Sequence, residues 1–412
     1  MAMKSSIKQF VRKIFFIGGC FLFTVFSTVL SAQNRAMASV SFDKVGSYVV
    51  FKAKINNSSP LNLILDSGIR STLITELDSG DHITLNYSDV KELLGLGSGN
   101  HLKAYTSNSN TLKIGKLVFD FQPVFVLTED VFNLSRHTGS KINGLIGMDM
   151  LWKYVIEVNY SQKQIRFYNP VHFIDPKGYH KMPLIVEGSK IFVQLNVLQG
   201  DGEIKKAKLL IDTGAELTAW FQSFKNGSVH LPTQNVRATI GEGLNGKIVG
   251  YKGRIPEIWV GNCTIKNAIV SFPDSACIGA IVKDYERDGT LGSQLLERFN
   301  FFIDFEHRQF YCKPNENFNN SFTYNVAGID IVQVLPFVSL SEVWSVWENS
   351  PAAKAGVKEG DQIIEVDHEK SFLFEINDLK RLFERPSKRP LILTLLRDGK
   401  EITVEIDMRN RL

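Results

Sequence analysis

The chain has 412 residues, 44% hydrophobic, 22% charged and 11% aromatic, with 31 Gly and 13 Pro; these are values of an ordinary folded protein and exclude a disordered, collagen-like or multi-span membrane chain. At about 150 residues per domain, the length predicts two or three domains. The formal charge of +4 is mildly basic, but Lys4, Lys8, Arg12 and Lys13 carry the excess, and without residues 1–32 the chain has 43 basic and 43 acidic residues; no nucleic-acid or anionic-lipid partner is expected.

Those four cations precede an apolar run over 14–30, and small residues follow at Ser31-Ala32 and Ala36-Met37-Ala38. This is the pattern of a secretory signal and predicts export, to a periplasm or outside the cell. An uncleaved anchor is the alternative, because residues 14–32 just reach bilayer length, and it would be the only membrane attachment. Cys20 follows Ile17-Gly18-Gly19, but the apolar run continues past it, against a lipoprotein site.

From residue 48 onward, short apolar or alternating runs at 48–55, 61–65, 124–127, 155–160 and 165–168 are bounded by Gly, Asn, Asp and Ser and predict strands. A repeat organises them. Residues 61–74 read LNLILDSGIRSTLI, and 146 positions later residues 207–220 read AKLLIDTGAELTAW, with Asp66 over Asp212 and Gly68 over Gly214. Gly95, Gly97, Tyr105 and Gly115 fall on Gly241, Gly243, Tyr251 and Gly261 at the same offset. One residue is then lost, and NGLIGMDMLWKYVIEV from Asn143 overlies DGTLGSQLLERFNFFI from Asp288. The chain therefore holds two copies of one β-rich unit, over 39–180 and 181–314. Asn245-Gly246 predicts a two-residue hairpin turn, with Gly99-Asn100 in the matching place. The Phe-rich stretch 299–305 reads as a core strand matching 154–160.

Residues 315–323, NENFNNSFT, are Asn-rich and read as a linker to a third domain over 324–412. There Ser350-Pro351 opens a short helix that Gly356 ends, and Gly360-Asp361 turns into a strand over 362–366. Ile376, Leu379, Leu382 and Phe383 have helical spacing, and strands over 391–396 and 401–406 flank the turn Asp398-Gly399. Cys263, Cys277 and Cys312 lack C-x-x-C spacing and histidines at zinc-ligand spacing, so neither a metal site nor a disulfide framework is expected. Buried free thiols are expected, with a Cys263–Cys277 pair as the conceivable alternative.

The two D-S/T-G turns carry the chemistry. An apolar strand delivers each carboxylate to a buried turn, where Gly68 or Gly214 permits the bend and Ser67 or Thr213 can bond across to the opposite loop. One such turn is common; two at equivalent positions of a duplicated unit predict a carboxylate pair. Asp66 and Asp212 brought together cannot both ionise and would hold one proton between them. The ionised member could take a proton from water while its partner protonates the scissile carbonyl.

These residues resemble the aspartic peptidases of the retropepsin and pepsin type, over about 275 residues. The resemblance rests on LILDSG, LLIDTGA, GLIGMDML, TLGSQLL and the hairpins GLGSGNHLKAY and GEGLNGKIVGY. It implies a mainly β fold, with duplicated acid-protease β-barrel lobes in one chain and a dyad complete without a second copy. It further implies that residues 145–147 and 290–292 pack behind the Asp turns, and that hairpins bearing Gly95, Gly97, Gly241 and Gly243 act as flaps over a peptide substrate. SPAAKAGVKEGDQIIEVD, from Ser350, resembles the PDZ domain attached to bacterial proteases. Such a domain adds a peptide to a sheet edge and captures its C-terminal carboxylate on backbone N–H groups. Gly328, Ile329 and Ile331 are the candidate loop and strand, with a helix over 375–384 as the other wall; Trp344 and Trp347 leave open a segment that docks on the protease lobes instead.

The sequence departs from the family at Ile69-Arg70-Ser71. Arg70 would lower the Asp66 pKa if it faced that carboxylate, and is otherwise a solvated turn residue. Ile69 and Ala215 stand where a hydroxyl would add a hydrogen bond to the dyad, which predicts a pH optimum nearer neutral than stomach-type enzymes have. Neither Tyr105 nor Tyr251, beyond the hairpin turns, can be placed as a flap tyrosine. No G-x-S-x-G turn, HExxH helix or phosphate-binding loop is present, and the eight histidines are scattered, so no metal or cofactor is expected. Two readings follow: an exported, PDZ-bearing aspartic endopeptidase, or a non-catalytic peptide-binding protein on the same scaffold. The intact acids and glycines favour the enzyme.

Overall fold

The computed structural model describes residues 34–93, 102–223, 229–243, 246–282, 286–335 and 338–412. The expected signal segment 1–32, Gly95 and Gly97, and the Gly99-Asn100 turn lie outside the described residues. The fold is mainly β, with strands in three sheets among the described residues.

The core of each lobe follows from the duplicated apolar runs. Leu61–Leu65, buried along nearly its whole length, runs parallel to Gly144–Ile146, which also pairs antiparallel with Thr72–Ile74. In the second lobe Ile204–Ile211 runs parallel to Gly289–Leu291, which pairs antiparallel with Ala219–Phe221. The glycine-motif strand is thus wedged between the strand entering the Asp turn and the strand leaving it. Only glycine fits at its ends: a Cβ at Gly147 would overlap the Arg70 carbonyl, and one at Gly292 the Leu217 carbonyl.

A sheet shared by both lobes lies beneath these loops, ordered Ala38–Val45, Gln164–Tyr168, Val155–Asn159, Phe299–Asp304, Gln309–Pro314, His180–Pro183. Its centre pairs Phe301 with Val158, Phe302 with Glu157 and Ile303 with Ile156. Glu157 and Phe302 are themselves repeat equivalents, so the pseudo-two-fold axis passes through their pairing. The axis is chemically lopsided: Glu157 is buried with Arg166 (3.1 Å) and Tyr168 Oη (2.6 Å) on its carboxylate, whereas Phe302 packs among Phe173, Tyr179 and Tyr311. The strand His180–Pro183 spans the 180/181 position.

Residues 315–323 are not a loose linker. Arg298 Nη1 donates to the carbonyls of Phe318 (3.2 Å) and Asn320 (2.5 Å), its guanidinium covers the Phe322 ring, and Phe318 packs edge-on against Phe299. Two aromatics anchored by one cation outweigh the Asn-rich composition. The third domain combines Ile329–Gln333, Ser341–Val346, Gln362–Val366, Leu391–Arg397 and Lys400–Ile406 with the helices Pro351–Lys354 and Ile376–Phe383. Ser350 caps the first helix and Pro351 opens it. Asp398 and Gly399 both have positive φ, +49° and +74°, as a two-residue hairpin turn requires.

One expectation changes: Gly246 pairs with Gly243 as the first residue of the strand Gly246–Val260 rather than as a turn residue of Asn245-Gly246. The cysteines follow the expectation of buried free thiols: Cys263, Cys277 and Cys312 are free and buried, with Cys263 and Cys312 in one core cluster and Cys277 in another, so the alternative Cys263–Cys277 pair is not made.

Gly147→Ala and Gly292→Ala force a methyl against backbone that cannot yield. Each should cost about 3 kcal/mol, the upper end of overpacking penalties, read as a lower urea midpoint of the full chain.

Candidate active site

The two Asp turns meet across the pseudo-two-fold axis and bond reciprocally. Ser67 N–H donates to Thr213 Oγ1 and Thr213 N–H to Ser67 Oγ, both at 3.0 Å. Each hydroxyl donates in turn to the carbonyl that precedes the opposite Asp, Ser67 Oγ to Ile211 O (2.8 Å) and Thr213 Oγ1 to Leu65 O (2.6 Å). Gly68 N–H and Gly214 N–H donate to their own aspartates at 2.7 and 3.1 Å. A Cβ at Gly68 would lie 2.6 Å from Asp212 Oδ2, and one at Gly214 would collide with the Asp66 carboxyl. The structure therefore brings together Asp66, Ser67, Gly68, Asp212, Thr213 and Gly214, all six from one chain.

The carboxyls are not equivalent. Asp66 is buried, and that burial, with Asp212 beside it, raises its pKa from the ordinary 3.8 to about 8 against the Gly68 N–H and Lys190. Burial also raises Asp212, but Lys190, Arg287, the Gly214 N–H and a hydrogen bond with Asp66 all oppose it. That shared bond raises Asp66 and lowers Asp212, favouring Asp66 as holder of the proton.

Sequence reasoning missed three neighbours. Tyr48, at the tip of the first-lobe hairpin, is raised well above the usual phenol range by burial and by Glu216, Asp66 and Asp212. Lys190, at the tip of the hairpin of Ile185–Glu187 and Lys190–Leu198, donates to the Gly68 carbonyl. Glu216 accepts from Ser47 N–H at 2.9 Å and ties the second Asp loop to the first-lobe hairpin. VGSY over 45–48 against EGSK over 187–190 was the available signal, at an offset of 142 rather than 146. Arg70 is the solvated alternative: it pairs with Asp149 at 3.0 Å and is two-thirds exposed.

Gly241 and Gly243 lie on Asn235–Gly243, which pairs with Gly246–Val260. Ile240 and Ile248 pack on Leu217 and Trp220, with Ala215 alongside, so this hairpin covers the second Asp loop. Tyr251 lies under the Arg237 guanidinium and Tyr105 is exposed against Tyr87.

In the third domain Ile329 and Ile331 are buried in the core, and the N–H groups of Gly328 and Ile329 both point at Asn325 Oδ1, at 2.9 and 3.4 Å. The edge strand Ile329–Gln333 and the helix Ile376–Phe383 enclose a segment of the first lobe. Arg136 Nε donates to Gln333 O and Lys380 Nζ to His137 O, both at 2.7 Å, and a Cβ at Gly139 would lie 2.8 Å from Ile376 Cγ2. Trp344 meets His137 edge-on and receives Arg136 and Lys247 on its ring, while Trp347 donates to Asp330 and lies beneath Lys252. Trp344 thus docks on the protease lobes.

Two outcomes follow. The folded state holds the Asp66 proton more tightly than the unfolded chain, so stability present at low pH is lost as pH rises from about 4 to about 8; Asp66→Asn should flatten that fall in Tm. An Arg136→Ala, Lys380→Ala double variant removes two charge-assisted hydrogen bonds that fill the groove. Its affinity for a C-terminal peptide, read by fluorescence anisotropy, should rise about tenfold or more.

Comparison with known proteins agrees with this division. An aspartyl protease family model matches residues 51–150 and 193–295, once on each repeat, with both Asp turns and both glycine motifs inside the matches. A PDZ domain model matches residues 342–397. A Mesorhizobium japonicum protein named for zinc metalloprotease activity is 40% identical over 68 residues, 16% of this chain and 18% of that protein. The chain spans under a fifth of that relative, and the zinc in its name is said of it alone. Among the described residues, no three or more His, Cys, Asp or Glu stand where they could share a metal ion. The chain belongs to the aspartyl protease family, with two copies of the family's domain in one polypeptide and a PDZ domain after them.

Proposed function

We propose that this protein is an exported aspartic endopeptidase that hydrolyses peptide bonds with water activated by Asp66 and Asp212. The observation that carries the reading is the cross-bonded pair of turns, which holds two buried carboxyls against each other; carboxyls so placed would keep one proton between them. Ionised Asp212 takes a proton from the water, and Asp66 gives its proton to the carbonyl oxygen as the water oxygen bonds to the carbon. The resulting diol collapses as a proton passes to the amide nitrogen, the C–N bond breaks, and an amine and a carboxylic acid leave. Both carboxyls come from one polypeptide, so the reading needs no second copy. The second-lobe hairpin with Gly241 and Gly243 would close over an extended peptide or protein substrate. Export rests on the basic and then apolar pattern of residues 1–32.

Asp66→Asn and Asp212→Asn should each lower kcat/KM on a cleaved peptide about a thousandfold, the scale of losing one member of an acid–base unit. Cleavage that survives either substitution overturns the dyad, and failure of the folded wild type to cleave any member of a diverse peptide library favours the non-catalytic scaffold. Raised carboxyls place the optimum nearer neutral pH, and a measured optimum below about pH 3 contradicts this assignment.

A further inference from the structure

The hairpin tips that flank the dyad occupy equivalent places in the two lobes. Val45 pairs with Tyr48 around Gly46, and Glu187 with Lys190 around Gly188; both glycines have positive φ, +58° and +56°. One tip presents a phenol, the other an ammonium. The Lys190 ammonium is partly buried and is held on the carbonyl of Gly68, whose own N–H binds Asp66 and whose Cα stands against Asp212. The charged and titratable groups facing this place are few. Asp212, Asp66, Arg287 and Asp149 act on Lys190; Glu216, Asp66 and Asp212 act on Tyr48; Asp149 is engaged by Arg70. Lys190 therefore brings a cation to the dyad from the second lobe, where the first lobe supplies a neutral group. Of the two carboxylates it acts more strongly on Asp212.

We propose that Lys190 is a positioning residue: seated on the Gly68 carbonyl, its charge makes the dyad asymmetric, keeping Asp212 the ionised base and Asp66 the proton holder. This rests on the dyad reading above. An opposite charge close to a carboxyl favours its ionised form, so Lys190, seated on the Gly68 carbonyl beside both carboxyls, holds the dyad mono-anionic to lower pH than burial alone would allow.

The test is the pH profile of kcat/KM for the full chain with Lys190→Met, Lys190→Gln and Lys190→Arg. Gln keeps a donor for the Gly68 carbonyl without charge, and Arg keeps the charge. The acidic limb should move up by about one pH unit or more in the Met and Gln variants and stay near wild type in Arg. A limb that stays in place in folded Lys190→Gln overturns the proposal, as does a uniform fall in rate at every pH. The same variants are read without turnover by carbon-13 NMR titration of the aspartate carboxyls, with Asp66→Asn and Asp212→Asn identifying the two signals. The Asp212 signal should titrate at higher pH once Lys190 loses its charge, and an unmoved signal counts against Lys190 even if no substrate is cleaved. Cleavage that survives Asp66→Asn would instead remove the dyad reading and leave the titration as the measure of Lys190.

Discussion

Two carboxyls forced together under a shared roof repel each other and lose solvation, so something must hold the turns that carry them. Here the reciprocal bonds of Ser67 and Thr213 do so. Each hydroxyl accepts from the opposite backbone N–H and donates to the carbonyl just before the opposite Asp. Four hydrogen bonds therefore lock two loops from different halves of the chain, in a buried place where each is strong and an unpaired group would be costly. The rest of the architecture keeps that lock in register. The shared sheet below sets the lobes on one axis through Glu157 and Phe302, and the glycine-motif strands brace each turn from behind. A slip of either strand by one residue would turn its side chains to the opposite face.

Much of this was legible because duplication writes it twice. Asp66 over Asp212 and Gly147 over Gly292 set the repeat, and the strands, the dyad loops and the Asp398-Gly399 turn follow from local chemistry. What stayed hidden lies where the copies diverged in both spacing and chemistry. Tyr48 and Lys190 are equivalent only after a four-residue change of offset, and a phenol and an ammonium share no residue class that a repeat search would align. Arg70 and Glu216 show the same limit. They stand at one repeat position, yet Glu216 turns inward to Ser47 N–H while Arg70 turns outward to Asp149. The packing of the segment 315–323 is not legible in its composition, which is dominated by asparagines, whereas Phe318, Phe322 and Arg298 determine how it packs.

Divergence between the copies has a physical logic. A strictly symmetric dyad has no preference for which carboxyl keeps the proton, whereas hydrolysis needs an acid and a base at once. Asymmetric surroundings supply that preference before substrate arrives, as fixed charges that need not reorganise during reaction. Asp212 faces Lys190 and Arg287, and Asp66 is the more deeply buried. The same lopsidedness recurs at the far end of the axis, where Glu157 with Arg166 stands opposite Phe302. The fold keeps two-fold backbone geometry while its side chains abandon it.

The PDZ domain extends this argument beyond the dyad. Its groove, between Ile329–Gln333 and Ile376–Phe383, is filled by residues 136–139 of the first lobe, and Asn325 already engages the N–H groups that would take a peptide carboxylate. Further contacts fall on the second-lobe hairpin: Thr239 with Ser345, Arg237 with Glu348, and Lys247 with Glu359 and the Trp344 ring. His137 also stands 3.8 Å from Glu242 on that hairpin. One domain thus touches the first lobe through its groove and the second through the element that covers the Asp212 loop. A peptide that took the groove would have to displace residues 136–139, and the hairpin would lose part of what holds it. Were the hairpin to move with groove occupancy, the coupling would run both ways, and a ligand that shifted one would shift the other by the same free energy.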